Sequence, residues 1–431
     1  METTPPAALS PEVFSVLQLC VINGPLFPNL KALLLWRVNV ESIPFIPLFL
    51  SPRIIAISMG HFAPGLPEAM VASMITTLQT QCPNLQQISL SPLSRDPMVA
   101  AAVSGLVLAS NRNALRIFCA DCPLTQEARE IIYQLPNLHE LSVVIGSDTS
   151  LPLLVLPSLL ALTVTYSDGS GWLQGFRGAA LGKLTSIAIH SESHSINNFL
   201  EAFESVMLTT SVSSTLSTLS FHTSRPWRPN YRSLLPFTQL RELTIDFSCE
   251  PDCSSTIDDD AIIDMARAMP KLELLQLGSQ PCQTPAGVTV KGLAALAYLC
   301  PDLSTLRVHF QVDSFDPRPA PIVTSGDDPT VPRADCALTD LKVGAIPVME
   351  ESALMVALTL LRIFPRLEYI EYSDKGWEEV AETIELSKKL ADASSKKLSL
   401  TLPRTNVNGT PHRTHIRGRC LIEKCRSARV L

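Results

Sequence analysis

One short phrase recurs along the chain with a fixed internal spacing, and it constrains the fold more than any single motif does. It stands near the start as Phe27-Pro28-Asn29-Leu30-Lys31-Ala32-Leu33-Leu34-Leu35. It returns as Cys82-Pro83-Asn84-Leu85-Gln86-Gln87-Ile88-Ser89-Leu90 and as Leu135-Pro136-Asn137-Leu138-His139-Glu140-Leu141-Ser142-Val143. Shorter forms are Leu156-Pro157-Ser158-Leu159, Met269-Pro270-Lys271-Leu272, Cys300-Pro301-Asp302-Leu303 and Phe364-Pro365-Arg366-Leu367. The shared core is an apolar residue at position i, a second at i+3 and a third at i+5. Thirteen copies fit, with i at Leu30, Ile54, Leu85, Leu115, Leu138, Leu159, Leu184, Leu216, Leu240, Leu272, Leu303, Leu338 and Leu367.

Positions i+3 and i+5 are two apart, so on a strand both point to one face, with position i packed beneath them. Proline at i−2 suits a strand entry, because it ends a preceding helix and needs no ladder N–H there. Between the copies lie helical patterns over 66–82, 97–110, 125–135, 196–208, 258–269, 288–300 and 349–364. Asp258-Asp259-Asp260 falls where a helix wants an acidic cap and first turn, and no further ligands follow at calcium-loop spacing. The mean period is about 28 residues, inside the roughly 20–29 of leucine-rich repeats. The expected fold is therefore α/β: a leucine-rich-repeat solenoid, a ribonuclease-inhibitor-like horseshoe with parallel strands on the concave face and helices and loops on the convex face. The expected layout is a cap segment at 1–26, about thirteen units over 27–402 and a basic tail at 403–431. Gly376–Ala393 reads as a terminal helix, and Lys397-Leu398-Ser399-Leu400 as a possible last strand.

Composition agrees with one long core. The chain has 431 residues, 63 leucines, 34 prolines, 46% hydrophobic and 17% charged residues, and a net charge of −7. Disorder would need low hydrophobicity and high net charge, while a single compact core usually stops growing at about 250–300 residues. The start, METTPPAALSP, is not read as a signal peptide, and no apolar stretch reaches the ~20 residues of a membrane span. The eleven cysteines lack secretory spacing, so the thiols are read as reduced and the expected location is cytoplasmic or nuclear.

The apolar-Pro-x-Leu-x-x-Leu-x-Leu phrases, with the opening Ser10-Pro11-Glu12-Val13-Phe14, Gly24-Pro25-Leu26-Phe27 and Leu35-Trp36, resemble the repeat region of fungal F-box/leucine-rich-repeat proteins. The likeness covers roughly residues 10–402. It implies a substrate receptor of a cullin-type ubiquitin ligase, in which the repeats hold the protein to be modified and an N-terminal F-box docks on the ligase adaptor. Here the first repeat begins by Phe27, which leaves no room for three F-box helices, so 1–26 is read as a cap. A shortened gene model and a binding scaffold unrelated to ubiquitin stay open as alternatives, and the SCF adaptor is a partner only if an F-box stands upstream.

No phosphate-binding loop, nucleophile elbow or zinc-protease motif is present, so no catalytic residue, cofactor or metal is expected. Cys119-Ala120-Asp121-Cys122 has redox or zinc spacing but lacks a second half. Cys82 and Cys300, in the apolar slot before the repeat proline, read as core. Positions i+2, i+4 and i+6 should face away from the core. The i+6 row includes Trp36, Asp121, Val144, His190, His222, Asp246 and His309. With strands ~4.8 Å apart, His190, His222 and Asp246 should stand side by side, with Glu242, Arg307 and His309 beside them. They are either a polar or pH-sensitive recognition patch or unrelated solvated residues on a face that is polar anyway. Trp36 either contacts a partner or packs on the cap, and Tyr369 with Glu371 offers a surface at the other end.

Gln311–Asp335, with five prolines and five aspartates, reads as a long loop, disordered or closing over the rim. The tail carries seven Lys/Arg against Glu423, a net +6, which leaves −13 on the rest. The expected partner is thus a protein on the concave face, with no nucleic acid and no membrane.

Overall fold

The computed structural model describes residues 11–20, 25–91, 93, 95–146, 154–167, 171–177, 179, 181–192, 199–223, 230–247, 257–278, 287–311, 336–343, 348, 350–372 and 375–399. Residues 312–335 of the loop expected over 311–335, the tail over 403–431, and positions 344 and 373 of the i+6 row lie outside them.

The strands are β1 Ala32–Leu35, β2 Ala56–Gly60, β3 Gln87–Ser91, β4 Ile117–Pro123, β5 Glu140–Ile145, β6 Ala161–Tyr166, β7 Ser186–Ser191, β8 Thr218–Thr223, β9 Glu242–Phe247, β10 Leu274–Leu277, β11 Thr305–Arg307, β12 Asp340–Lys342 and β13 Tyr369–Glu371. They form one all-parallel sheet of 13 strands in chain order, a solenoid-like α/β arrangement. The i+3 residues share a single register across it. Leu33 pairs with Ile57, Ile57 with Ile88, and so on through Leu243, Leu275, Leu306 and Leu341 to Ile370. Along each central strand burial alternates, inward residues buried and outward ones half-exposed. That is the consequence of the two-residue strand period.

The repeat phrase has a local structure of its own. In several copies the position-i N–H donates to the carbonyl three residues back, as Leu272 does to Met269 at 3.2 Å and Leu367 to Phe364 at 3.1 Å. Proline thus sits second in a four-residue turn, where its fixed φ is pre-set. The phrase is a turn leading into a strand rather than a bare strand entry. In two copies the Asn after the proline donates its amide to the preceding repeat: Asn84 to the Pro52 carbonyl at 3.0 Å, Asn137 to that of Asn113 at 2.9 Å.

All seven expected helices form: α2 Glu68–Gln81, α3 Pro97–Ala109, α4 Gln126–Ile132, α5 Phe199–Met207, α6 Asp259–Ala268, α7 Val290–Leu299 and α8 Glu350–Ile363. A further helix, α1 Pro11–Cys20, precedes β1. Side-chain caps mark the starts of several. Asp96 accepts from Met98 N–H with Pro97 in the first turn, Thr125 from Ala128 and Asp258 from Ala261. Other connections are short 3-10 turns, among them Ile43–Phe49 and Tyr231–Leu234. Pro47, inside the first of these, removes a backbone donor that a longer α-helix would need. Buried residues of the helices and the inward strand residues form one apolar cluster, so the helices cover one face of the sheet.

Contacts divide the chain into two units, Met1–Ile384 and Glu385–Leu431. The first contains the sheet. Helix α9, Gly376–Ser399, begins in it, with Trp377, Val380 and Ile384 buried there and the Trp377 ring edge-on to Phe310 at 5.8 Å. In the second unit Lys389 pairs with Glu385 at 2.6 Å. The strand expected at 397–400 does not form: residues 397–399 continue α9. The run Ala391–Lys397 contains neither Gly nor Pro, and its alanines and lysines favour helix.

Candidate functional site

The face of the sheet opposite the helices carries the outward rows. Its middle row is small and mostly hydroxylated over eight strands, from Ser58 and Ser89 through Cys119, Ser142, Thr163, Ala188 and Ser220 to Thr244. From β10 it becomes Gln276, Arg307, Lys342 and Glu371.

The histidine row assembles as expected. His190 pairs in register with His222, and His222 with Asp246. The two imidazoles stack, centroids 4.8 Å apart and planes 11° apart. His222 Nδ1 lies 3.8 Å from Asp246 Oδ2, with both side chains 35% exposed. That distance is too long for a hydrogen bond. Glu242, four residues before Asp246 on β9, accepts from Thr218 Oγ1 at 3.4 Å.

Arg307 and His309 are not beside this row. Strand β10, with Leu274 and Gln276, stands between, and Gly278 follows it directly. His309 is also only 9% exposed, which corrects its reading as a surface residue. Gly278 has φ +87°, and a Cβ there would meet His309 Cδ2 at 3.6 Å, so the imidazole lies over a position that has no side chain. The Arg307 Nε is buried and donates to nothing. Trp36 is 51% exposed and rests against the His61 ring at 5.0 Å. Tyr369 is 56% exposed, and Glu371 pairs with Lys342 at 2.7 Å.

Val144, expected on the outward row, is 6% exposed. Strand β4 shifts register after Cys119, and Pro123 comes to lie beside Val144. The same strand separates the CxxC pair. Cys119 is half-exposed on the open side, while Cys122 points into the core, where burial first and then Asp121 push its thiol up to about 12. A thiol so disfavoured as thiolate, facing away from its neighbour, does not make a redox or metal pair. Cys82 and Cys300 are core residues; burial raises them to about 11 and about 12.

One feature of the rim lay beyond sequence spacing. Arg95, after β3, grips Glu192, at the end of β7, through two hydrogen bonds of 2.6 and 2.5 Å. The partners are 97 residues apart, and no periodic signal links them. Asp121, which takes a short hydrogen bond from Ser91 Oγ, adds to the field on Arg95.

Among the described residues no three His, Cys, Asp or Glu side chains are grouped to hold a metal, and no helix is long and apolar enough to cross a membrane. No protein-family model matches the chain, and no curated protein matches it.

Proposed function

We propose that this is a leucine-rich-repeat protein that recognises a protein partner on the open face of its sheet, doing the work of a substrate receptor for a cullin-type ubiquitin ligase and catalysing nothing itself. The observation that carries the recognition reading is the asymmetry of the sheet. One face is sealed by helices, and the other is a floor of small hydroxyl side chains edged by His190, His222, Asp246 and Arg307. Small residues let a partner's backbone or side chains come close to the strands, and the edging groups supply directional contacts. The repeat phrase and its period support the leucine-rich assignment, and the ubiquitin link rests on the resemblance alone.

Two experiments separate these parts. Proximity labelling in cells, with the chain and with a Ser142→Arg/Ser220→Arg variant, should lose its specific partners in the variant. Replacing His222 and Asp246 together should weaken the same partners. If both variants label as the parent does, the open face is not the recognition surface. Co-purification with the ligase adaptor tests the receptor role, and its failure with partner binding intact would leave a scaffold unrelated to ubiquitin.

A further inference from the structure

We infer that Arg307 anchors an acid-binding subsite at the β10–β12 end of the open face, and that its ligand is an Asp or Glu side chain on an acidic segment of the partner. The inference rests on the open face being the recognition surface. Arg307 is in register with Gln276 on one side and Lys342 on the other. Two cations therefore stand side by side, and one carboxylate of their row, Glu371, is taken by Lys342 at 2.7 Å. In the adjoining row Asp340 accepts from Thr339 Oγ1 at 2.8 Å. Among the described residues no carboxylate pairs with Arg307, and its Nε is shut off from water without an acceptor.

A buried donor with nothing to bind is a standing cost of this side-chain position. A carboxylate that draws the guanidinium off the floor removes that cost and is held by the fork of two parallel N–H groups, which a lysine lacks. The Gln276 amide stands next in the row as a further donor. The charge of the ligand follows from the neighbours. The row has one cation more than it has acids, and Asp340 beside it disfavours a dianion, so a single carboxylate fits better than a phosphate.

The test is selection of a random twelve-residue peptide library on the full chain. Peptides recovered on the parent should carry Asp or Glu at a fixed place. Arg307→Gln should weaken the best of them about tenfold or more, with Arg307→Lys between, while Arg362→Gln on α8 changes nothing. Because the substitution removes an unpaired donor, the thermal midpoint of Arg307→Gln should be unchanged or raised, which excludes misfolding as the cause. Peptides that are lost with Ser142→Arg/Ser220→Arg yet indifferent to Arg307→Gln overturn the subsite and leave the recognition face standing. Displacement by inorganic phosphate as effective as by the acidic peptide assigns the site to phosphate and also overturns it. Recovery of no peptide on the parent overturns the recognition face and the subsite with it.

Discussion

Asp259, in the first turn of α6, accepts the backbone N–H of Gly292 in the next helix, α7, at 2.9 Å. The same carboxylate takes the N–H of Thr289 at 2.7 Å and its hydroxyl at 2.6 Å. One acid thus caps the helix of the following repeat, while its neighbour Asp258 caps its own helix and Asp260 faces Lys291 at 3.5 Å. Asp258 and Asp259 thus serve as helix starts, in keeping with the acidic cap expected there, while Asp260 stays on the surface.

Asp259→Ala should therefore cost about 2 kcal/mol, since three donors at the α7 start lose a charged acceptor. Asp260→Ala, an exposed pair, should stay within about 0.5 kcal/mol. Gly292→Ala should resemble Asp259→Ala, because its Cβ would lie 2.6 Å from the Asp259 carboxylate. Urea unfolding midpoints of the three variants check the ranking.

Leu243 and Thr244 are adjacent on β9 and face opposite ways, the first buried and the second half-exposed. Leu243→Ala should lose about 2–5 kcal/mol through the cavity it leaves. Thr244→Ala should lose no more than about 0.5 kcal/mol. Equal losses would mean that the repeat phase is misassigned.

The Arg95–Glu192 pair is nearly half exposed on both sides, so it should contribute under about 1 kcal/mol, less in high salt. Arg95, through its hydrogen bond first, holds the Glu192 carboxyl below its ordinary 4.5. A lowered folded value means the contribution is present above about pH 4.5 and is lost as the pH falls through the lowered value. Unfolding of the parent and Arg95→Ala should differ at pH 7, and the gap should close as the pH is taken progressively below 4.5. A gap that persists in acid would show that the pair does something other than attract.

Thiol alkylation followed residue by residue by mass spectrometry should label Cys119 in the folded chain. Cys82, Cys122 and Cys300, whose thiols burial pushes up to between about 11 and 12, should react only in denaturant.

The amino-acid sequence was sufficient for the strand phase, the seven inter-strand helices, the inward cysteines and the adjacency of His190, His222 and Asp246. Each of these follows from alternation along a strand or from capping within a few residues, and both are written locally. The stacking of the two imidazoles, the reach of Arg95 to Glu192, the burial of His309 over Gly278 and the capping of α7 by Asp259 were decided by the tertiary structure. Those contacts join residues of different repeats, or depend on how far neighbouring strands and loops shift. Periodicity places a side chain on a face, and only the stacked repeats bring it to a particular neighbour. The helix that replaces the expected last strand makes the same point from the other side. Local propensity ran on through Ser399 where a repeat-based reading had placed one more strand.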